Sequence, residues 1–590
     1  MTRPWRRRCA LTLLVLLGAL TGLIRTAPPA AAHAYTIATT PSNGSEVTVP
    51  PTEVRVTFDE PVTLPVGKGA AGVVDAAGRD AGSGSVRLTG GRRTLVIGMR
   101  AGLAKGTYIA GWSVVSSDTH PVGGSIEFGY GVPATAATAP PAPQPSAGLQ
   151  LVVGAVKGLL YLGLVAAFGV LPAGLVLGAD RDERRVLRRV AGAGMLLALV
   201  ASVLQVVAQY LWDASAVPGG ATWAGLRAFA GSGYAGAVLV RAGLLAAALA
   251  VLPRLRRAGG AESAGWWAGG AVLALAALGS VVHNGHGGTG SWWYFATTLV
   301  HVSAVTAWLG GLAVLGRLML RRRLTPTRLA RLPLWSRYAA SSVALLALTG
   351  LIQALIQVRY VPALVHTTYG CVLLVKLALV AAALLLGWRG NRWVGRWAGR
   401  RGVGRRGAGV GPGDVAAKSP SAGPSAGAVH GLVPPGETAR LRGRVRAEAG
   451  IGVVIVVVSG VLSSVAPAGA AYAPTRVVHA VVGPYTVIFE VAPARRGLES
   501  FRVTAQGAGD TTALPRSVSL DLGQDAGAVE DLRVPFSYRL PGSIRPGRAT
   551  AFTFVSSSVN VPAAGRWTAT LTVVAGPTEQ YTTALHYRVL

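Results

Sequence analysis

Apolar residues dominate the middle of this chain. Between residues 149 and 468 they form eight long runs, at 149–179, 190–212, 232–253, 264–284, 291–320, 335–357, 363–388 and 448–468. Each run is near or above the roughly 20 residues that a membrane-spanning helix needs. The pattern therefore predicts a bundle of eight transmembrane helices.

Apolar and polar residues alternate over short stretches at both ends of the chain, as in β-strands with one buried face. Residues 33–131 contain such stretches at 53–58, 85–88, 94–97 and 106–115. Residues 476–590 contain them at 485–491, 516–522, 549–555 and 566–574. We predict a β-sandwich or barrel in the first region and an immunoglobulin-like sandwich of about seven strands in the second.

Residues 1–32 have the pattern of a secretory signal peptide. Basic residues at position 3 and at positions 6–8 precede an apolar stretch at 11–20, and small residues at 30–32 suit the cleaving peptidase. Cleavage after Ala32 would make His33 the first residue of the mature chain. The alternative is an uncleaved anchor, in which His33 would have no free amine.

Charge supports this division of the chain. The formal net charge is +32, yet only 14% of residues are charged, against about 25% in soluble proteins. Basic residues concentrate after the first, third, fifth and seventh apolar runs, so the positive-inside rule makes those loops cytoplasmic. Both terminal domains are then extracytoplasmic, in a multi-pass cell-membrane protein. Because the arginines lie between apolar runs, we expect no nucleic-acid partner.

Two segments have the composition of linkers. Residues 132–148 are rich in Pro and Ala and should form an extended tether. Residues 397–438, in the last cytoplasmic loop, are rich in Gly, Arg, Pro and Ala without apolar periodicity, so we expect disorder there. Cys371 is the one cysteine of the predicted mature chain, which excludes an intramolecular disulfide and a Cys-x-x-Cys copper site.

Histidine and aspartate supply candidate chemistry in the first domain. An N-terminal His33 can chelate a metal through its amine and its ring Nδ1, and His120 offers a second imidazole. Asp118 precedes His120 by two residues, so both side chains face one side of an extended segment. Nitrogen and oxygen ligands in such a set suit Cu(II). Taken alone, the Asp-x-His pattern is a weak signal and is more often found in a solvated turn.

This first domain resembles the periplasmic copper-binding CopC family. The matching residues are His33-Ala34, Pro41 with Gly44 and Ser45, residues 54–60, Tyr108 with residues 112–115, and residues 117–124. The resemblance implies a cupredoxin-like all-β sandwich that binds one Cu(II) through the His33 amine and ring, Asp118 and His120. Some family members add a methionine-rich Cu(I) loop. Met99 is the only methionine in this domain, so we predict that the Cu(I) site is absent.

Histidines also lie in or near the predicted spans. His283 and His286 stand at the outer end of the fourth run, and His301 lies about ten residues into the fifth, roughly 15 Å deep. An intramembrane imidazole is a functional-site hypothesis by default. We take all three as candidates for a copper path. The alternatives are a polar interfacial loop for the first two and a helix–helix hydrogen bond for His301.

The spans contain three cations and no Asp or Glu near mid-membrane. Lys157, Arg241 and Lys376 are unusual in a simple cation pore, which generally has acidic groups. Pairing with carbonyls, extension toward the interface and binding of an anionic partner remain open explanations.

Residues 149–470 resemble the CopD membrane family of copper transport and resistance proteins. The motifs that carry the resemblance are Gly285-His286, His301 with residues 307–311, Thr349-Gly350, residues 368–370, Leu374 with Lys376, Asn391-Arg392, and Arg446 with Glu448. Residues 476–590 loosely resemble YtkA-like domains that accompany copper proteins. For this last domain we expect a scaffolding or partner-docking role.

Together these features predict a non-enzymatic copper homeostasis protein. It would bind Cu(II) outside the membrane and pass copper inward, with copper, the lipid bilayer and a candidate extracytoplasmic copper-delivery protein as partners. The first alternative is copper sequestration and resistance without transport. Two minor alternatives are a histidine-brace copper oxidase, whose open coordination position Asp118 would fill, and a membrane haem protein, which would need two imidazoles at one depth.

Overall fold

The computed structural model describes residues 34, 36–65, 70–116, 121–134, 146–215, 220–254, 261–285, 292–321, 326–406, 435–507, 514–525, 529, 531–542, 551–556 and 559–590. The chain separates into two compact units. The described part of the helical unit lies within Gly148–Gln209 and Ala230–Val465. The second unit contains Ala31–Ala147, Tyr210–Phe229 and Ala466–Leu590.

The N-terminal domain is a two-sheet β-sandwich, as predicted. Its strands are β1 (Thr36–Thr40), β2 (Glu46–Val47), β3 (Glu53–Phe58), β4 (Val62–Thr63), β5 (Ala71–Asp75), β6 (Gly82–Thr89), β7 (Thr94–Met99), β8 (Gly106–Ser116) and β9 (Pro121–Tyr130). One sheet has the order β1-β3-β7-β6, and the other has the order β2-β9-β8-β4 with β5 also paired to β8. Alternate residues of β3 and β8, such as Val54, Phe58 and Trp112, fill the core between the sheets.

The C-terminal domain also consists of two antiparallel sheets. Its strands are β10 (Arg476–Val482), β11 (Tyr485–Ala492), β12 (Gly497–Gly507), β13 (Ser517–Gln524), β14 (Leu532–Val534), β15 (Phe536–Gly542), β16 (Ala551–Ser556), β17 (Val559–Val561), β18 (Gly565–Val574) and β19 (Gln580–Val589). The sheet orders are β10-β11-β12-β16-β15, with β17 beside β12, and β14-β13-β18-β19. The described residues thus form more strands than the seven expected. Trp567 and Phe501 lie in a fully buried core.

The described residues include eight helices that are long and apolar enough to cross a membrane. We call them the first to eighth spans: Ala147–Val176, Arg181–Ala214, Gly233–Val251, Ala261–His283, Trp292–Arg321, Pro326–Val358, Thr368–Arg406 and Pro435–Leu462. Three short helices accompany them, at Trp223–Ala230, Ala363–His366 and Ala468–Ala471. The predicted count of eight is confirmed.

Helix ends differ from the predicted limits where charged residues flank an apolar run. The seventh span continues to Arg406 and the eighth begins at Pro435, so helix occupies both ends of the segment 397–438 for which we expected disorder. Residues 407–434 lie outside the described part of the chain. The eighth span ends at Leu462, six residues before the predicted limit, because Pro467 follows closely.

Glycines let the first span pack against three others with backbones in contact. A Cβ on Gly169 would lie 2.2 Å from the Thr306 carbonyl oxygen of the fifth span, and one on Gly310 would lie 2.4 Å from the Gly169 carbonyl carbon. Gly163 meets the second span in the same way, and Gly158 meets the eighth. The first span widens into one π-helical turn, Val165–Gly169, where it meets the fifth.

Candidate functional site

The predicted copper ligands His33, Asp118 and His120 lie outside the described residues. The described residues that flank them meet at one end of the N-terminal sandwich. Thr36, at the start of β1, pairs with Phe58, at the end of β3. Four residues later Val62 pairs with Ser116, the last residue of β8. The segment between β3 and β4 therefore connects the two strand ends from which the predicted ligands continue.

Glu60 lies in this connecting segment and is a carboxylate that the sequence reasoning did not select as a ligand. Only 7% of the residue is exposed, although it stands in a short crossover between two sheets. Buried carboxylates are uncommon because the charged form is poorly solvated. The signal in the sequence was a pair of acidic residues, Asp59 and Glu60, directly after an alternating strand.

Part of the motif at 117–124 has a packing role. Gly124 of β9 pairs with Trp112 of β8, and a Cβ on Gly124 would lie 2.6 Å from the indole atom Cζ2 of Trp112. The glycine thus makes room for an indole that is 4% exposed. Gly44, which has a φ of 75°, donates its backbone N–H to the Glu127 carbonyl at 2.7 Å and ties the loop after β1 to β9.

The C-terminal domain contacts β1 close to the predicted mature N-terminus. The register of β1 against β3 shifts between Thr36 and Ala38, so Ile37 lies in a β-bulge. The Asn560 side-chain amide donates to the Ile37 carbonyl. A Cβ on Gly497 would lie 3.2 Å from the Thr36 carbonyl oxygen, so β12 passes close to the same strand.

His301 has a defined hydrogen-bond partner inside the membrane unit. Its Nδ1 lies 2.8 Å from the Thr349 hydroxyl oxygen of the sixth span. That hydroxyl donates its single proton to the Leu345 carbonyl at 2.6 Å. His301 Nδ1 must therefore carry the ring proton, and Nε2 keeps the lone pair with which a neutral imidazole binds metal. A Cβ on Gly350 would come within 3.4 Å of the His301 ring, so this glycine leaves space for it.

A polar column extends from His301 toward the predicted outer ends of the fifth, sixth and seventh spans. The Gln357 amide donates to the Tyr294 hydroxyl at 2.7 Å and accepts from the Tyr369 hydroxyl. Tyr294 stands seven residues, or two helical turns, before His301. Lys376 stands seven residues after Tyr369 and lies close enough to His301 for an electrostatic interaction.

The other predicted path histidines do not join this column in the described part of the chain. His283 is the exposed last residue of the fourth span, and His286 lies outside the described residues. His366 is exposed at the end of its short helix. The described residues contain no group of three or more His, Cys, Asp or Glu side chains that could hold a metal.

Lys157 and Arg241 belong to a separate polar cluster, between the first, second, third and eighth spans. The Arg241 Nε donates to the Ser202 hydroxyl at 3.0 Å, and its Nη2 donates to the Gln205 side-chain carbonyl at 2.7 Å. The Lys157 ammonium donates to the Ser463 carbonyl at 3.2 Å. Both cations are buried, with 0% of Arg241 and 5% of Lys157 exposed.

Comparison with known proteins identifies both regions. The family described as CopC domain matches residues 36–131, and the family described as Copper resistance protein D (CopD) matches residues 329–420. The copper transport protein CutJ of Bacillus subtilis is 26% identical over 367 residues, covering 60% of this chain and 67% of that protein. The copper resistance protein C of Pseudomonas syringae pv. tomato is 31% identical over 103 residues, or 81% of its length. The crystal structure of CopC from Methylosinus trichosporium OB3b covers 17% of this chain and 93% of its own, with 25% identity and a TM-score of 0.15.

Proposed function

Because the chain belongs to the CopC family through its N-terminal domain and joins that domain to a CopD segment, we propose that it captures Cu(II) outside the membrane and passes copper inward. Relatives of both segments are named for copper transport or copper resistance, which supports a copper-related function. Both sandwich domains would face the extracytoplasmic side.

The convergence of strand ends in the N-terminal sandwich is the observation that carries the proposal. The chain leaves the core at Ala34, one residue after His33, and enters the β8–β9 connection at Ser116. We place the copper ligands His33, Asp118 and His120 at this end. The buried Glu60 carboxylate lies in the connecting segment there, where its negative charge would favour a bound divalent cation.

Copper titration of the purified full-length protein, followed by electron paramagnetic resonance, tests this site. We expect one Cu(II) with nitrogen hyperfine structure. His120→Ala should lose the coupling of one of the three nitrogens, and one alanine inserted before the mature His33 should weaken binding at least tenfold because it removes the amine ligand. His479→Ala, at an exposed histidine of β10, is the matched control. Equal affinity and spectra in all four proteins would refute the assignment.

Inward passage is assigned to His301. Its proton is held on Nδ1 by Thr349, so the Nε2 lone pair is available to an arriving copper ion without loss of a proton. Cells that express His301→Ala should accumulate less cytosolic copper than wild-type cells. His366→Ala, at an exposed histidine outside the predicted path, should accumulate as much as the wild type. Unchanged uptake in His301→Ala would contradict the route.

Sequestration of copper outside the membrane is the second candidate function. It is favoured because the N-terminal domain could bind copper without any contribution from the membrane spans. It predicts copper retained outside the cytosol and no dependence of cytosolic copper on His301. Fractionated metal content in cells with His120→Ala and His301→Ala separates the two functions. Import predicts that both variants lower cytosolic copper, whereas sequestration predicts that only His120→Ala changes copper, in the outer fraction.

A further inference from the structure

The start of β1 is held by the C-terminal domain as well as by its own sheet. β1 is the edge strand of the described sheet β1-β3-β7-β6, and an edge strand presents backbone groups that its own sheet does not pair. The bulge leaves Ile37 without an opposite residue on β3, and its carbonyl accepts from the Asn560 side-chain amide. The backbone of β1 is therefore fixed at this point by a side chain that lies more than 500 residues away in the sequence.

The alternation of β17 directs Asn560 toward β1. Val559 and Val561 lie in the buried core of the C-terminal domain, so the side chain between them points to the opposite face of the strand. The Asn560 Oδ1 has no hydrogen-bond partner among the described residues. The described side-chain hydrogen bond of Asn560 thus holds β1 and not its own domain. Truncation of this side chain should leave the C-terminal core intact.

Gly497 lets β12 approach the same part of β1. Its φ of 116° lies in the left-handed region that favours glycine, and a Cβ there would lie 3.2 Å from the Thr36 carbonyl oxygen. Gly497 pairs with Val561, and the next residue of β12, Leu498, pairs with Asn560. One short antiparallel ladder therefore contacts two consecutive residues of β1. We call Asn560 and Gly497 the β1 clamp.

The β1 clamp lies just behind the predicted first residue of the mature chain. Ile37 follows His33 by four residues, and Ala34 between them is buried in the N-terminal core. An amine ligand at a free chain end is only as well placed as the strand that follows it. A ligand that is ordered before the metal arrives binds more tightly, because less conformational entropy is lost on binding.

We propose that the C-terminal domain raises the copper affinity of the N-terminal domain by holding β1, with Asn560 as the positioning residue for His33. This inference rests on the proposed Cu(II) site. Coupling between two sites is reciprocal, so bound copper must strengthen the β1 clamp by the factor by which the clamp strengthens copper binding. A contact that only joined the two domains would be the same with and without copper.

The first test is Cu(II) titration of the purified full-length protein, followed by electron paramagnetic resonance. Asn560→Ala should lower the Cu(II) affinity by about threefold to tenfold, because the N-terminus is less ordered before binding. It should keep the nitrogen hyperfine structure of the wild type, since it removes no ligand. Gln580→Ala, which truncates an exposed amide of β19 in the same domain, should bind as the wild type does.

The second test is hydrogen exchange in peptides that cover β17, measured with and without Cu(II). Bound copper should slow exchange in the wild type and leave it unchanged in Asn560→Ala. One alanine inserted before the mature His33 should also abolish the effect, at copper concentrations that fill only the wild-type site.

Two results would overturn the role of the β1 clamp while the copper site stands. One is equal Cu(II) affinity in the wild type and in Asn560→Ala with an unchanged circular dichroism spectrum. The other is β17 exchange in the wild type that does not respond to bound Cu(II). Should Asn560→Ala aggregate, the wild-type exchange decides alone. A wild-type protein that binds no Cu(II) would instead overturn the proposed function and the clamp with it.

Discussion

Glu499, on β12, has a carboxyl group with no exposed surface. We therefore expect the stability of the C-terminal domain to depend on pH. Burial raises the pKa of Glu499 from 4.5 to about 9, while the Tyr587 hydroxyl and the Arg495 backbone lie beside it. Burial also raises the pKa of Tyr587, so that side chain stays neutral. The folded domain therefore holds a proton on Glu499 throughout the neutral range.

The sign and size of the effect follow from proton linkage. Below pH 4.5 both the folded and the unfolded carboxyl are protonated, so the group costs nothing. Between pH 4.5 and pH 9 only the unfolded form ionises, and folding loses about 1.4 kcal/mol per pH unit. At pH 7.5 the accumulated loss is about 4 kcal/mol. Glu499→Gln mimics the protonated form and should stabilise the domain by about 2–4 kcal/mol at that pH. The gain is smaller than the full value of about 4 kcal/mol to the extent that the amide fits the cavity less well than the carboxyl group.

The assay is hydrogen exchange in the full-length protein between pH 5 and 8.5, followed in peptides from β11 and β12. After correction for the intrinsic exchange rates, it gives the free energy of opening of these strands at each pH. The wild-type value should fall as pH rises, and that of Glu499→Gln should stay level. The control is Glu490→Gln on β11, whose carboxylate forms an Arg502 salt bridge and is partly exposed. Parallel pH profiles for wild type and Glu499→Gln would refute the reasoning.

Four further predictions concern packing, the domain contact and His301. Gly310→Ala places a methyl group against the Gly169 backbone and should destabilise the membrane unit by about 1–3 kcal/mol in thermal unfolding, whereas Gly243→Ala, with open space around its Cα, should not. Asn560→Ala should increase hydrogen exchange in β1 without affecting β7, and unchanged exchange in β1 would contradict the Asn560–Ile37 contact. Thr349→Val should lower cytosolic copper toward the His301→Ala level while Thr349→Ser keeps it, and equal uptake in both would exclude the proposed tautomer control. Lys376→Met should increase copper uptake and Lys376→Arg should not, because the ammonium repels a cation at His301; reduced uptake in Lys376→Met would contradict this sign.

Hydropathy predicted the number of spans because the length of an apolar run is a local property. The predicted end of the seventh run, residue 388, lies close to Gly390, where the membrane-length part of that helix ends. The helix itself continues to Arg406, and the eighth begins at Pro435, because arginine lowers hydropathy but is a good helix former. The strands 53–58 and 94–97 were predicted nearly to the residue for the same local reason: one face of each is buried.

Features that join distant parts of the chain could not be predicted from periodicity. Asn560 and Ile37 are 523 residues apart, and nothing in either strand pattern pairs them. The depth of His301 follows from counting residues, but its proton position requires Thr349, 48 residues away. Gly310 was quoted as part of a family motif, and its physical role became evident only from the close approach of Gly169.

The two parts of the proposed copper path differ in the sign of the charge beside the metal. The capture site would combine imidazoles with the Asp118 carboxylate, near Glu60, and anionic ligands favour the divalent ion. His301 instead offers a neutral ring beside the Lys376 ammonium. At the same distance from the ammonium, Coulomb repulsion of a divalent ion is twice that of a monovalent ion. Copper that reaches His301 is therefore expected to be monovalent or to carry an anion with it. A large gain in uptake on Lys376→Met would therefore mean that copper reaches His301 with a net positive charge that no accompanying anion neutralises.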